Sequence, residues 1–148
     1  MKILLAVDDS EYSTAAVNEV AQRTWPRRST LGILKVIEQF PIGVEPWVGE
    51  SEGLDQIDAE LKRRASRLIK KITEQFKKKD LRVQSVIRNG SAASEIVAEA
   101  ERWAVDLIVV GSHGYNAIKR LFLGSVAWSV VSHAPCSVEV VRRKKGKS

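Results

Sequence analysis

Apolar residues alternate along this chain between short continuous runs and longer stretches in which they return every three or four positions. Ile3 to Val7 is such a run and reads as a strand. From Glu11 to about Trp25, Ala16, Val17, Val20 and Ala21 share one face, which predicts a helix with Ser10 as its N-cap. Leu31 to Ile37 is a second strand, and Gln39 to Ser51, with Pro41, Gly43, Pro46 and Gly49, reads as a long loop. Leu54, Ile57, Leu61, Ala65, Leu68, Ile72 and Phe76 mark a long amphipathic helix, after which Lys77-Lys78-Lys79 suit a helix C-terminus. Val83 to Ile87 is a third strand, and Ser91 caps a helix carrying Ile96, Val97 and Ala100, with Glu95 in its first turns. Leu107 to Val110 is a fourth strand, Ser125 to about His133 a last helix, and Ser137 to Val141 a fifth strand. The order β-α-β-α-β-α-β-α-β predicts a doubly wound α/β domain, a five-stranded parallel sheet with helices on both faces.

Strand composition then orders the sheet. The first and fourth strands are continuously apolar, as befits central strands covered on both faces. Arg82, Gln84, Ser85 and Arg88 around the third strand and Ser137 and Glu139 in the fifth suit edges. The order is therefore 3-2-1-4-5, with the topological switch point between strands one and four. Ligands of open α/β sheets bind there, beyond the carboxyl ends of the strands. Asp8-Asp9 and Gly111-Ser112-His113-Gly114 follow directly on those two strands.

The second of these segments opens a glycine frame, Gly111-x2-Gly114-x9-Gly124-Ser125. Glycines let a backbone approach an anion closely or take positive φ, and the helix from Ser125 can present free N–H groups to it, so the simplest ligand is a phosphate chain. The bland alternative is that Gly111 ends a strand and Gly124 opens a helix. Competing nucleotide motifs, the Gly-x4-Gly-Lys-Ser/Thr P-loop and the Gly-x-Gly-x2-Gly fingerprint, do not occur. No zinc-ligand spacing exists, and a metal or catalytic site of the chain's own is not expected. Cys136 opens an apolar strand and reads as packed. Asp8-Asp9 can be acid/base groups or turn and cap residues.

Composition sets the outer limits. A chain of 148 residues with 44% apolar content is enough for one domain with a real core, read here as residues 1–143 followed by a basic tail, 144–148. No segment has signal-peptide character or the roughly 20 apolar residues of a membrane span. A single cysteine fits a cytoplasmic location. The net charge of +6 is concentrated at the end: Arg142 to Ser148 carries five basic and no acidic residues, leaving +1 for the rest. Such a tail reads as a solvated terminus, and neither nucleic acid nor membrane is expected as a partner.

Val109 to Gly114, Leu123-Gly124-Ser125-Val126 and His133-Ala134-Pro135-Cys136 resemble the universal stress protein family, in its ATP-binding branch. Ile3 to Asp8, Lys35-Val36-Ile37 and Gly90 before Ser91 to Ile96 extend the resemblance over nearly the whole chain. It implies a cytoplasmic homodimer that binds ATP, with Mg2+ or Mn2+ arriving on the nucleotide, and that supports stress survival with little or slow hydrolysis. By position, Ala6, Val7 and Asp8 would line the nucleoside end and the main chain of Val36 would meet adenine. Gly111, Ser112, His113 and Gly114, with Gly124, Ser125 and Val126, would hold ribose and phosphates. Lys119 and Arg120 would screen the phosphates or form a solvated face. The subunits would pair through the strand Ser137 to Val141, where Glu139 would meet a second Glu139 or a cation such as the partner's Arg142.

The chain departs from that pattern at three places. Asp9 stands where the family usually has glycine. Ser137 and Glu139 replace the usual proline and aliphatic residue of the last strand, and a charge at an edge can oppose pairing. Trp128 occupies a position in the last helix where smaller or polar residues are common, and is read as core. Two other functions remain open. One is a slow ATPase or nucleotidyl- or phosphoryl-transfer enzyme using Asp8 and His113; the other is a dimeric interaction protein with a vestigial pocket.

Overall fold

The computed structural model describes residues 1–38, 51–115 and 122–144, with 51–54 described by backbone alone. Along it run β1 (Lys2–Val7), α1 (Glu11–Gln22), β2 (Thr30–Ile37), α2 (Ser51–Glu74), β3 (Arg82–Asn89), α3 (Ala92–Trp103), β4 (Leu107–Gly111), α4 (Ser125–His133) and β5 (Ser137–Val141). The strands form one parallel sheet in the order β3-β2-β1-β4-β5, as the strand compositions predict. The expected loop at 39–50 and the cations Lys119 and Arg120 lie outside the described residues.

Because side chains alternate along a strand, each strand feeds two cores. Ile3, Leu5 and Val7 of β1, Leu31 and Ile33 of β2 and Val109 of β4 face α1 and α2, where they meet Ala16, Val17, Val20, Ile69 and Ile72. Leu4, Leu34, Val36, Ile108 and Val110 face the other way, onto Ile96 and Ala100 of α3 and Ala127 and Val130 of α4. Each fully buried Leu, Ile or Val contributes about 1.5–3 kcal/mol of apolar burial.

Several element ends differ from the sequence reading, each for a local reason. Helix α1 stops at Gln22, short of Trp25, because Arg23 is extended and Pro26 disfavours helix in the residue before it. The Trp25 indole Nε1–H instead donates to Val20 O at 2.9 Å, satisfying a carbonyl of the last turn. Helix α2 begins at Ser51 and ends at Glu74, so Lys77 to Lys79 lie in the turns beyond it, although Phe76 stays buried in the first core. Ser10 caps α1 as expected, accepting from Ser13 N at 3.1 Å. Ser91 holds the N-cap position of α3 without a side-chain cap bond; Glu38 Oε1 accepts from Ala92 N at 3.2 Å in its place.

Trp128 is not core. It is 66% exposed on α4, whose inward positions are Ala127 and Val130. The two arginines just before the basic tail are engaged rather than merely solvated. The Arg142 guanidinium lies 4.3 Å from the centre of the Phe122 ring, and Arg143 pairs with Glu11 at 2.8 Å. Glu139 also finds its cation within the chain: Arg23, the C-cap residue just after α1, donates to both its carboxylate oxygens, at 2.7 and 2.6 Å. Those two bonds hold the Arg23 guanidinium well above its ordinary pKa, with Glu19 adding to the effect.

Candidate functional site

Where β1 and β4 lie side by side, the chain leaves β1 for α1 on one face of the sheet and leaves β4 for α4 on the other. The gap beyond their carboxyl ends is a cavity of about 610 Å³. Ala6, Val7 and Asp8 line it from β1, Val36 from β2, Gly111, His113 and Gly114 from the end of β4, and Gly124, Ser125 and Val126 from the start of α4. Of the described residues assigned to the nucleotide site from the sequence, Ser112 alone stays out of the lining. It is buried, and it braces the wall from behind: its N–H donates to Val141 O at 2.9 Å and its carbonyl accepts from Gly124 N at 2.7 Å. Ser112 Oγ and His113 Nδ1 share a hydrogen bond of 3.0 Å, and the His113 ring rests 4.9 Å from that of Tyr12.

Asp8 is fixed by the turn into α1. Its Oδ1 accepts from Ser10 N at 2.7 Å, an Asx turn, and its own N–H donates to Ser13 Oγ at 2.9 Å. Asp9 is exposed and needs no left-handed backbone, since among the described non-glycine residues only Arg28 and Ala104 have positive φ.

The frame's glycines do not share one purpose. None takes positive φ. A Cβ on Gly111 would stand 2.8 Å from the backbone carbon of Tyr12, so this glycine lets β4 pass against α1. One on Gly124 would stand 3.0 Å from His113 Cα. At Gly114 the nearest neighbour is Asp8 Oδ2 at 3.4 Å, an ordinary contact, so Gly114 is the member of the frame that keeps cavity space open.

Gly124 is also the N-cap of α4 and brings no capping side chain, so among the described residues no side chain caps the first N–H groups of that helix at the cavity wall. An anion placed there gains roughly 0.3–1 kcal/mol from the helix dipole. Among the described residues no group of three His, Cys, Asp or Glu side chains is arranged to hold a metal ion.

Sequence reasoning missed the far wall, formed by Leu61, Arg64 and Ala65 of α2 and by Glu38 after β2. Leu61 and Ala65 carry the same helical spacing as the core positions, so periodicity cannot tell cavity wall from core. Arg64 has no ion pair among the described residues and looks like any cation of a solvated face.

The sequence profile of the universal stress protein family matches residues 1–142. The chain is 29% identical over 145 residues to universal stress protein YxiE of Bacillus subtilis, covering 95% of this chain and 98% of that one. It is 31% identical over 157 residues to universal stress protein MJ0577 of Methanocaldococcus jannaschii, covering 97% and 95%. The solved structure of MJ0577 superposes with a TM-score of 0.86 at 30% identity, over 98% of this chain and 97% of that one. A universal stress protein family protein of Arabidopsis thaliana, solved with AMP bound, shares the fold at a TM-score of 0.71 and 17% identity, over 97% and 92%. Among the described residues no helix is long and apolar enough to cross a membrane.

Proposed function

This chain belongs to the universal stress protein family, and on that premise we propose that it is an ATP-binding regulatory module of the stress response. The observation that carries the reading is that the N-terminus of α4, whose N-cap Gly124 has no capping side chain, and Gly114 line the same cavity of about 610 Å³ at the switch point. Ala6, Val7 and Asp8 take the nucleoside end and the main chain of Val36 meets adenine. Gly111, His113, Gly114, Gly124, Ser125 and Val126 hold ribose and phosphates, with Ser112 bracing them from behind. Mg2+ or Mn2+ arrives on the phosphates, as Mg2+ commonly does where few carboxylates are offered.

Hydrolysis is slow in this reading, because the two candidate acid/base groups have other work: Asp8 Oδ1 holds the Ser10 N–H and His113 Nδ1 is bonded to Ser112 Oγ. The binding unit is one domain, residues 1–143, acting in the cytoplasm as a homodimer paired along the outer edge of β5. The internal Arg23–Glu139 pair supports that edge as a pairing surface, since it neutralises the one charge in β5 that opposed it.

Calorimetric titration with ATP, and with AMP as the second arm, tests the reading. The wild type should bind ATP, and Gly114→Val should abolish binding while its circular dichroism stays native, because the new side chain fills the space that Gly114 leaves open. A wild type that gives no binding heat, or a folded Gly114→Val that binds as well as wild type, would refute it.

A further inference from the structure

We propose that Arg142 is a positioning residue for the phosphate-binding end of the cavity, acting through a clasp on Phe122. The inference rests on the nucleotide-binding reading above. Three consecutive residues where β5 ends reach three residues that lie close to the cavity lining in the chain without belonging to it. Val141 O accepts the Ser112 N–H at 2.9 Å, Arg142 Nη2 donates to Phe122 O at 3.3 Å, and Arg143 Nη1 lies 2.8 Å from Glu11 Oε1 in the first turn of α1. Ser112 follows β4 and Phe122 comes just before α4, so neighbouring residues of one strand end hold the chain where it leaves β4 and where it approaches α4.

Phe122 is 76% exposed, and the Arg142 guanidinium stands 4.3 Å from its ring centre. A ring left so far in water gains little from burial. What holds it is the cation over its face, together with the carbonyl bond to the same side chain. Two residues on, Gly124 opens α4 and its N–H is tied to Ser112 O at 2.7 Å. Fixing Phe122 therefore fixes the approach of the chain to the N–H groups that face the cavity. Arg142 itself is not part of the lining. Its effect on a phosphate-bearing ligand runs through Phe122, and a ligand without phosphates should not feel it.

Titration of ATP and of adenosine into wild type, Arg142→Ala, Phe122→Ala and the double variant tests this. Each single change should weaken ATP binding by about two- to fivefold, the factor that an exposed cation–π contact carries. Adenosine affinity should not move, and the double variant should be no weaker than either single one. If Arg142→Ala weakens ATP while Phe122→Ala does not, the Phe122 ring has no part in the effect and the clasp is overturned. Equal losses for ATP and adenosine would reduce the pair to a structural contact, and unchanged ATP affinity in both variants would dismiss it. A wild type that binds no ATP brings down the nucleotide reading itself, an outcome visible before any variant is made.

Discussion

An alanine series through the glycine frame should separate three jobs that one motif conceals. At Gly111 the new Cβ would stand 2.8 and 2.9 Å from the Tyr12 carbon and oxygen and 3.1 Å from Ser13 N. All three are backbone atoms of the first turn of α1, so the contact can be relieved only by moving α1 or β4. Overpacking of this kind costs about 1–3 kcal/mol. For a chain of this size each kcal/mol shifts the melting temperature by roughly 2–4 °C, so Gly111→Ala should melt about 2–12 °C below wild type. At Gly124 the contacts are His113 Cα at 3.0 Å and Ser112 O at 3.2 Å, which a shift of a few tenths of an ångström relieves. Its loss should be smaller. At Gly114 the 3.4 Å contact with Asp8 Oδ2 is unstrained, and replacing glycine where the backbone permits it stabilises by about 0.4–1 kcal/mol through the unfolded chain. Gly114→Ala should therefore melt at or slightly above wild type and yet bind ATP more weakly. The melts are followed by circular dichroism without nucleotide, since bound ligand would add its own stabilisation. If Gly111→Ala melts with wild type, or if Gly114→Ala is the least stable of the three, this assignment of roles is wrong.

Sedimentation equilibrium should find a dimer that Glu139→Lys weakens, because the change leaves Arg23 facing a like charge and makes the β5 edge cationic; high salt should recover part of the loss. A monomeric wild type, or a dimer indifferent to the change, would mean that β5 is not the interface. The Cys136 thiol is held above its ordinary pKa of 9.0, first by burial and then by the Asp106 charge, against a lowering contribution from the Ile108 backbone. A raised pKa in the folded state means that the associated stability is complete below about pH 9 and is lost as pH rises beyond it. Urea unfolding at pH 8 and pH 10 should therefore show a smaller alkaline loss for Cys136→Ala than for wild type, and equal losses would contradict it.

What the sequence made legible and what it hid divide along one physical line. Sheet order was readable because Ile3 to Val7 and Leu107 to Val110 have no polar residue, while Arg82, Gln84, Ser137 and Glu139 mark strands with a wet side. Periodicity reports a buried face only where polar residues mark the opposite one. Helix α4 lacks that contrast: Val126, Ala127, Trp128, Val130 and Val131 are apolar nearly all round, and the fold alone selects Ala127 and Val130 as inward and leaves Trp128 in water. The stop of α1 was written in Pro26, but Trp25 extended the apolar rhythm past it.

The cavity shows the same division. The wall from β1, β4 and α4 could be placed because strand ends and a switch point are properties of topology, which the alternation of elements encodes. Its supports could not, because each joins residues far apart in the chain. Glu38 caps α3 at Ala92 across 54 positions, and Val141 holds Ser112. The glycines make the point most sharply. Their spacing suggested one shared reason, close approach to phosphate, yet a Cβ meets α1 backbone at Gly111, His113 and Ser112 backbone at Gly124, and only a permissive contact at Gly114. A motif thus locates a site more readily than it explains its members, because two of its residues answer to the packing that holds the wall and one to the space that the wall encloses.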